Sequence, residues 1–202
     1  MREIFLKMTS YSVLVRRLAP IGEILTKFLQ TTAGRGFYIV DSTSFKLCEN
    51  VRFYNCRLFP EFAKWAYSST RCVFGFKLHL AIDERGKVIA FCLTDGSRHD
   101  IKEAENLLRG CIGTAIGDKG YRSSQVRERL EYAGLRFITP ARTGMKNRNP
   151  EEEKGPFRKR NLVERVIGKL KRLVGDNFSR FRVWEAVRAT IAIGILMLNL
   201  GV

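Results

Sequence analysis

Apolar residues recur along the chain with two periods, and the switches between those periods mark out its elements. Val13, Leu14, Leu18, Ile21, Leu25 and Phe28 follow helical spacing around a break at Pro20, which predicts one or two helices over residues 1–30. Phe37 to Val40 is a short unbroken apolar run, the pattern of a buried strand, and Asp41, Ser42 and Thr43 follow at once. A carboxylate at the end of such a strand can be a site residue or can cap the next turn, and both readings stand at this point. Between Val51 and Arg71 the period dissolves: Arg52, Arg57, Lys64 and Arg71 lie among Phe53, Tyr54, Phe59, Phe62, Trp65 and Tyr67. That mixture suits a loop lying on a nucleic-acid strand by charge and stacking, or equally a satellite core under a long loop.

Clean alternation returns from Val73 to Ile82, with Phe74, Phe76, Leu78, Leu80 and Ile82 on one face and Gly75, Lys77, His79 and Ala81 on the other. The turn Asp83-Glu84-Arg85-Gly86 and the run Val88 to Leu93 make this a hairpin, in which His79 reads as a satisfied sheet residue. Asp95, His99 and Asp100 come next as secondary candidates, Asp100 reading as the cap of a helix from Ile101 to Arg109. Cys111 to Ile116 is a further apolar strand, and beyond it Asp118 is a second strand-end carboxylate, flanked by Gly117 and Gly120. A helix from Ser123 to Ala133, a strand from Leu135 to Pro140 and a polar linker from Ala141 to Lys154 follow. The chain ends in Phe178 to Val183 and an apolar helix from Trp184 onward.

Between that linker and that last helix lies the stretch with the most organised pattern, Pro156 to Gly175. At about 100° per residue, Arg160, Glu164 and Lys171 fall within about 40° of one another, with Phe157 beside them. Leu162, Val163, Val166, Ile167, Leu170, Leu173 and Val174 fill a packing arc, and Arg165, Lys169 and Arg172 a third, basic sector. Pro156 and Gly175 are the start and stop signals. An ordinary i,i+4 pair between Arg160 and Glu164 would explain the carboxylate as well as a site would.

Charge moves this picture toward a polyanionic partner. The net charge is +16 over 202 residues, and half of it falls in Ala141 to Arg182, where 13 Lys/Arg face 5 Asp/Glu. Nucleic acid is favoured over membrane, since the apolar run from Ala189 to Val202 is too short to span a bilayer. Arg2, Glu3 and Lys7 break any secretory signal, pointing to the cytoplasm. Five cysteines without a CxxC pair favour neither a zinc cage nor a disulfide frame.

Three strands, a helix, a strand, a helix, a strand and then helices form the order of an α/β fold, an RNase H-like mixed sheet flanked by helices, with helical amino-terminal and carboxy-terminal segments. The domain reading is a helical segment over 1–35 and a catalytic domain over 36–202. Acids after the first strand, after the fourth and on a late helix suit a site in which carboxylates from separate elements hold two divalent cations.

Here the sequence resembles the DDE transposases of bacterial insertion sequences. Their Y-R-E-K signature is matched in register by Phe157, Arg160, Glu164 and Lys171, with only the Tyr replaced. Asp118, Gly120 and Tyr121 are similar to the family's D-x-G-Y, and Asp41 within YIVDST to its strand-end Asp. The resemblance implies that Asp41, Asp118 and Glu164 hold two Mg²⁺ or Mn²⁺ ions for DNA cleavage and strand transfer. It further implies that Arg160, Lys171, Phe157, Lys119, Tyr121, Lys169 and Arg172 contact double-stranded DNA, on which a homo-oligomer assembles in the bacterial nucleoid. Family members carry a longer amino-terminal region, so the 40 residues before Asp41 read as a truncated or internally started copy with weakened end recognition. A domesticated, non-catalytic DNA-binding remnant and a metal-dependent nuclease of the same fold remain as alternatives.

Overall fold

In the computed structural model, residues 34–67, 72–140 and 157–201 are described, together with Arg17, Pro20 and Ile24. The expected helices over 1–30, the Ala141–Lys154 linker and the Pro156 start signal lie wholly or mainly outside the described residues, while Arg35, the last residue of the expected helical segment, opens a strand.

Six strands form one sheet. They are β1 (Arg35–Lys46), β2 (Lys64–Tyr67), β3 (Cys72–Asp83), β4 (Val88–Asp95), β5 (Ile112–Ile116) and β6 (Leu135–Ile138). β3 pairs antiparallel with β1 along one edge, while its other edge is shared, first by β2 and then by β4. On its far side β1 pairs in parallel with β5, and β5 with β6. This is the expected RNase H-like mixed sheet, with β2 added at the edge.

The period of two then sorts the core into two layers. Ile39 and Phe45 of β1, with Phe76, Leu78, Leu80 and Ile82 of β3, pack under α3 (Asn161–Val174) and α4 (Trp184–Leu200). Tyr38 and Val40, with Ala81, Ala115 and Phe137, pack under α1 (Ala104–Leu107) and α2 (Ser124–Tyr132). α3 buries Val163, Val166 and Leu170 from the predicted apolar arc and stops at Gly175, whose φ of 80° suits a residue without Cβ. α4 is apolar on most of its circumference and lies in the core accordingly. Its Asn199 clasps β4, with Oδ1 accepting from the Val88 amide (2.8 Å) and Nδ2 donating to the Val88 carbonyl (2.9 Å).

The stretch from Val51 to Arg71 is more ordered than its sequence pattern. A 3₁₀ turn (Asn50–Asn55) and β2 occupy it, while 68–71 lie outside the described residues. Its aromatics divide between the two readings. Phe62 stacks on Trp184 at 3.8 Å and Phe59 meets the same ring, so these two belong to the core, whereas Tyr54 and Tyr67 are exposed.

Candidate active site

The site forms where the sheet runs out of one strand before another. β5 ends at Ile116, paired with Ile39, but β1 continues to Lys46 because β3 still pairs with it as far as Gly75. From Val40 to Phe45, β1 therefore has no strand partner on the β5 side, and the edge closes again only at Lys46, which bridges to Asn177. Asp41 stands there, in mid-strand rather than at the strand end its sequence setting predicts, because the long antiparallel partner carries the ladder past it. Asp118 is the second residue after β5, at the start of a 3₁₀ turn (Lys119–Tyr121).

Burial pushes the Asp41 carboxyl up from an ordinary 3.8 to about 6. The Ser42 amide, donating to Asp41 Oδ1 at 2.8 Å, and the Arg160 guanidinium act against that rise, while the charges of Asp118 and Asp100 add to it. Arg160 lies in a 3₁₀ turn (Arg158–Arg160) ahead of α3, and its Nη1 donates to Asp118 Oδ1 at 2.9 Å. So Arg160 answers the acid of another element, and the i,i+4 pair with Glu164 is not what holds it. Its Nε is buried with no hydrogen-bond partner.

Glu164 sits in the first turn of α3 and is exposed. Among the described residues no three His, Cys, Asp or Glu side chains converge as a metal-ligating group; Asp41 and Asp118 line one cavity, and Glu164 is not among the residues lining it. Lys171, two turns further along α3, donates its ammonium to the Ser44 carbonyl (3.0 Å) and lies 5.2 Å over the Phe45 ring. Phe157 is half-buried against the core. Lys119, Lys169 and Arg172 are exposed. Tyr121, expected on DNA, is instead fully buried, since its 3₁₀ turn directs the ring into the layer under α1 and α2.

A cavity of about 950 Å³ opens here, running from Asp41, Asp100 and Asp118 past Lys171 toward Tyr67. Asp100 is not a helix cap: its Oδ1 accepts from Ser42 Oγ (2.9 Å) and Lys77 Nζ (3.1 Å). His79 is the buried sheet residue its alternation implies, but it is only half satisfied, since its Nδ1 is buried without a hydrogen-bond partner. Its Nε2 meets Thr94 Oγ1 at 2.9 Å, and burial lowers it to about 4. Lys77 went unmarked in the sequence, where the one signal was a cation on the polar side of an otherwise apolar strand. No helix among the described residues is long and apolar enough to cross a membrane.

A family model for the transposase DDE domain matches residues 31–184. In three dimensions the chain is similar to a piggyBac transposase in a synaptic complex with hairpin DNA, at a TM-score of 0.55 and 12% identity, over 97% of this chain and 55% of that one. It is also similar to the catalytic core domain of BIV integrase, at a TM-score of 0.47 and 13% identity, over 82% of this chain and 84% of that one. The piggyBac likeness supports the fold, and the chain spans about half of that protein's length. No curated protein matches the sequence.

Proposed function

This chain belongs to the DDE transposase family, and we propose that it cleaves and transfers DNA strands by metal-dependent phosphoryl transfer centred on Asp41 and Asp118. The observation that carries the site assignment is the open edge of β1. There a buried carboxyl, raised to about 6, faces a second acid whose counter-charge is Arg160. Such a site fits a hard divalent cation, because carboxylate oxygens are its preferred donors and because a bound cation would offset the cost of holding the Asp41 charge away from water. Glu164 would complete the set from α3, on the face it shares with Arg160 and Lys171. Two Mg²⁺ or Mn²⁺ ions bound there supply Lewis acidity toward a phosphate and lower the pKa of water.

The chain's own residues do the remaining work. Asp41 and Asp118 hold the cations, and Ser42 keeps the Asp41 carboxylate in one orientation through its amide. Arg160, with a buried and unpartnered Nε, binds a phosphate oxygen of the DNA backbone. Lys171 adds a second phosphate contact from within the cavity. Lys119, Lys169 and Arg172 extend the electrostatic footprint. Duplex DNA is the substrate in this reading, as the +16 net charge favours, and a homo-oligomer assembles on it.

The test is nicking of supercoiled plasmid in Mn²⁺ and in Mg²⁺, with EDTA as control. Wild type nicks, while Asp41→Asn, Asp118→Asn and Glu164→Gln lose at least about a hundredfold in rate and keep their DNA affinity. A second reading, a DNA-binding protein of this fold without cleavage, is favoured by Glu164 being exposed and not among the residues lining the cavity that Asp41 and Asp118 share. Wild-type protein that binds plasmid and never nicks it establishes that reading and overturns the first.

A further inference from the structure

We propose that Asp100 is a positioning residue that sets the spacing between Asp41 and Asp118, a role that rests on the metal-site reading above. Adjacent residues of a strand point to opposite faces. Asp41 shares the α3 side with Ile39 and Phe45, whereas Ser42 shares the other side with Tyr38 and Val40. Through that other side the site is braced from below. Ser42 donates its amide to Asp41 Oδ1 (2.8 Å) and its hydroxyl to Asp100 Oδ1 (2.9 Å), so one residue couples the two carboxylates. Asp100 is held in turn by Lys77, whose ammonium donates to Asp100 Oδ1 (3.1 Å) and to the Arg98 carbonyl (2.8 Å).

The other carboxylate oxygen faces the loop that carries Asp118. A Cβ added at Gly120 would stand 3.0 Å from Asp100 Oδ2, so the Asp118 loop rests directly against Asp100. Asp100 therefore touches the residue after Asp41 and the residue two beyond Asp118. Both contacts fall where β1 has no β5 partner to fix the distance between those segments by a backbone ladder. Lys77 is the charge partner of this half-buried acid, with side-chain exposures of 12% for Lys77 and 25% for Asp100.

The experiment compares Asp100→Ala, Asp100→Asn and Ser42→Ala with wild type, using Mn²⁺ titration of the DNA-free protein followed by electron paramagnetic resonance, and plasmid nicking kinetics. Asp100→Ala weakens Mn²⁺ binding by about tenfold to a hundredfold, the usual effect of removing a group that orients metal ligands. It lowers kcat in proportion and leaves KM for DNA unchanged. Asp100→Asn, which still offers an oxygen to Ser42 and Lys77, recovers most of the Mn²⁺ affinity. Ser42→Ala reproduces the loss, and the double variant loses no more than either single one. If Asp100→Ala does not fold, Ser42→Ala and Asp100→Asn carry the comparison. Folded Asp100→Ala or Ser42→Ala with wild-type Mn²⁺ affinity overturns the Asp100 assignment alone. Wild type that neither binds Mn²⁺ nor nicks overturns the metal-site reading and this inference with it.

Discussion

Asp41→Asn is expected to make the protein more stable while abolishing its chemistry, and the size of the gain follows from the site's electrostatics. Asp41 is mostly buried, and burial raises its carboxyl from 3.8 to about 6. At about 1.4 kcal/mol for each pH unit, that gap corresponds to about 3 kcal/mol of folding free energy. The sign is set by which state holds the proton more tightly. Here the folded state does, so Asp41 favours folding below about pH 3.8, and this contribution is lost as pH rises through about 6. At about pH 8 wild type bears the whole cost of a buried charge, whereas Asn bears none and keeps an oxygen to accept the Ser42 amide. Urea melts at about pH 8 should show the variant more stable by about 3 kcal/mol, or about 6–12 °C in Tm for a chain of this size. Below about pH 4 the two curves should converge. His79 titrates with the opposite sign, since burial lowers it from 6.5 to about 4, so the difference between variant and wild type must be read rather than either curve alone. A variant less stable than wild type, or a gain independent of pH, refutes the argument. Mn²⁺ should stabilise wild type and leave the variant's Tm nearly unchanged.

Lys171→Ala should reduce the slope of log K against log salt for duplex DNA by about one, measured by fluorescence anisotropy across a salt series; an unchanged slope removes Lys171 from the phosphate contacts. Gly75→Ala should destabilise by about 3 kcal/mol or more in urea, because the added Cβ would lie 1.9 Å from the Phe45 carbonyl oxygen and force β3 off β1. His79 should show no protonation step above about pH 5 in ¹⁵N NMR, since burial and the Lys77 and Arg98 charges oppose its cation; a step near 6.5 would mean that its setting is wet.

Much of the layout was legible because it depends on periods that one residue's neighbours enforce. The β3–β4 hairpin, the α2 helix from Ser124 to Tyr132 capped by Ser123, and the packing arc of α3 all lie close to where the apolar pattern places them. The spacing of Arg160, Glu164 and Lys171 likewise predicts a helix, which the chain forms from Asn161 to Val174 with Arg160 in the turn before it. That information is local, and local sequence carries it.

Tertiary structure decided what depends on partners distant in sequence. Asp41 reads as the end of a strand, yet whether a strand ends is settled by its partners, and β3 continues where β5 stops. Arg160 has an acid one helical turn away and binds another 42 positions back, because a half-buried guanidinium gains more from a carboxylate at an open sheet edge than from one in solvent. Tyr121 follows a site residue in sequence but turns its ring into the core. The brace from Lys77 through Asp100 and Ser42 to Asp41 joins side chains from three segments, and no period along the chain records it. Spacing along a helix or strand follows from covalent geometry, whereas which charged groups meet across the sheet follows from where each strand loses its neighbour.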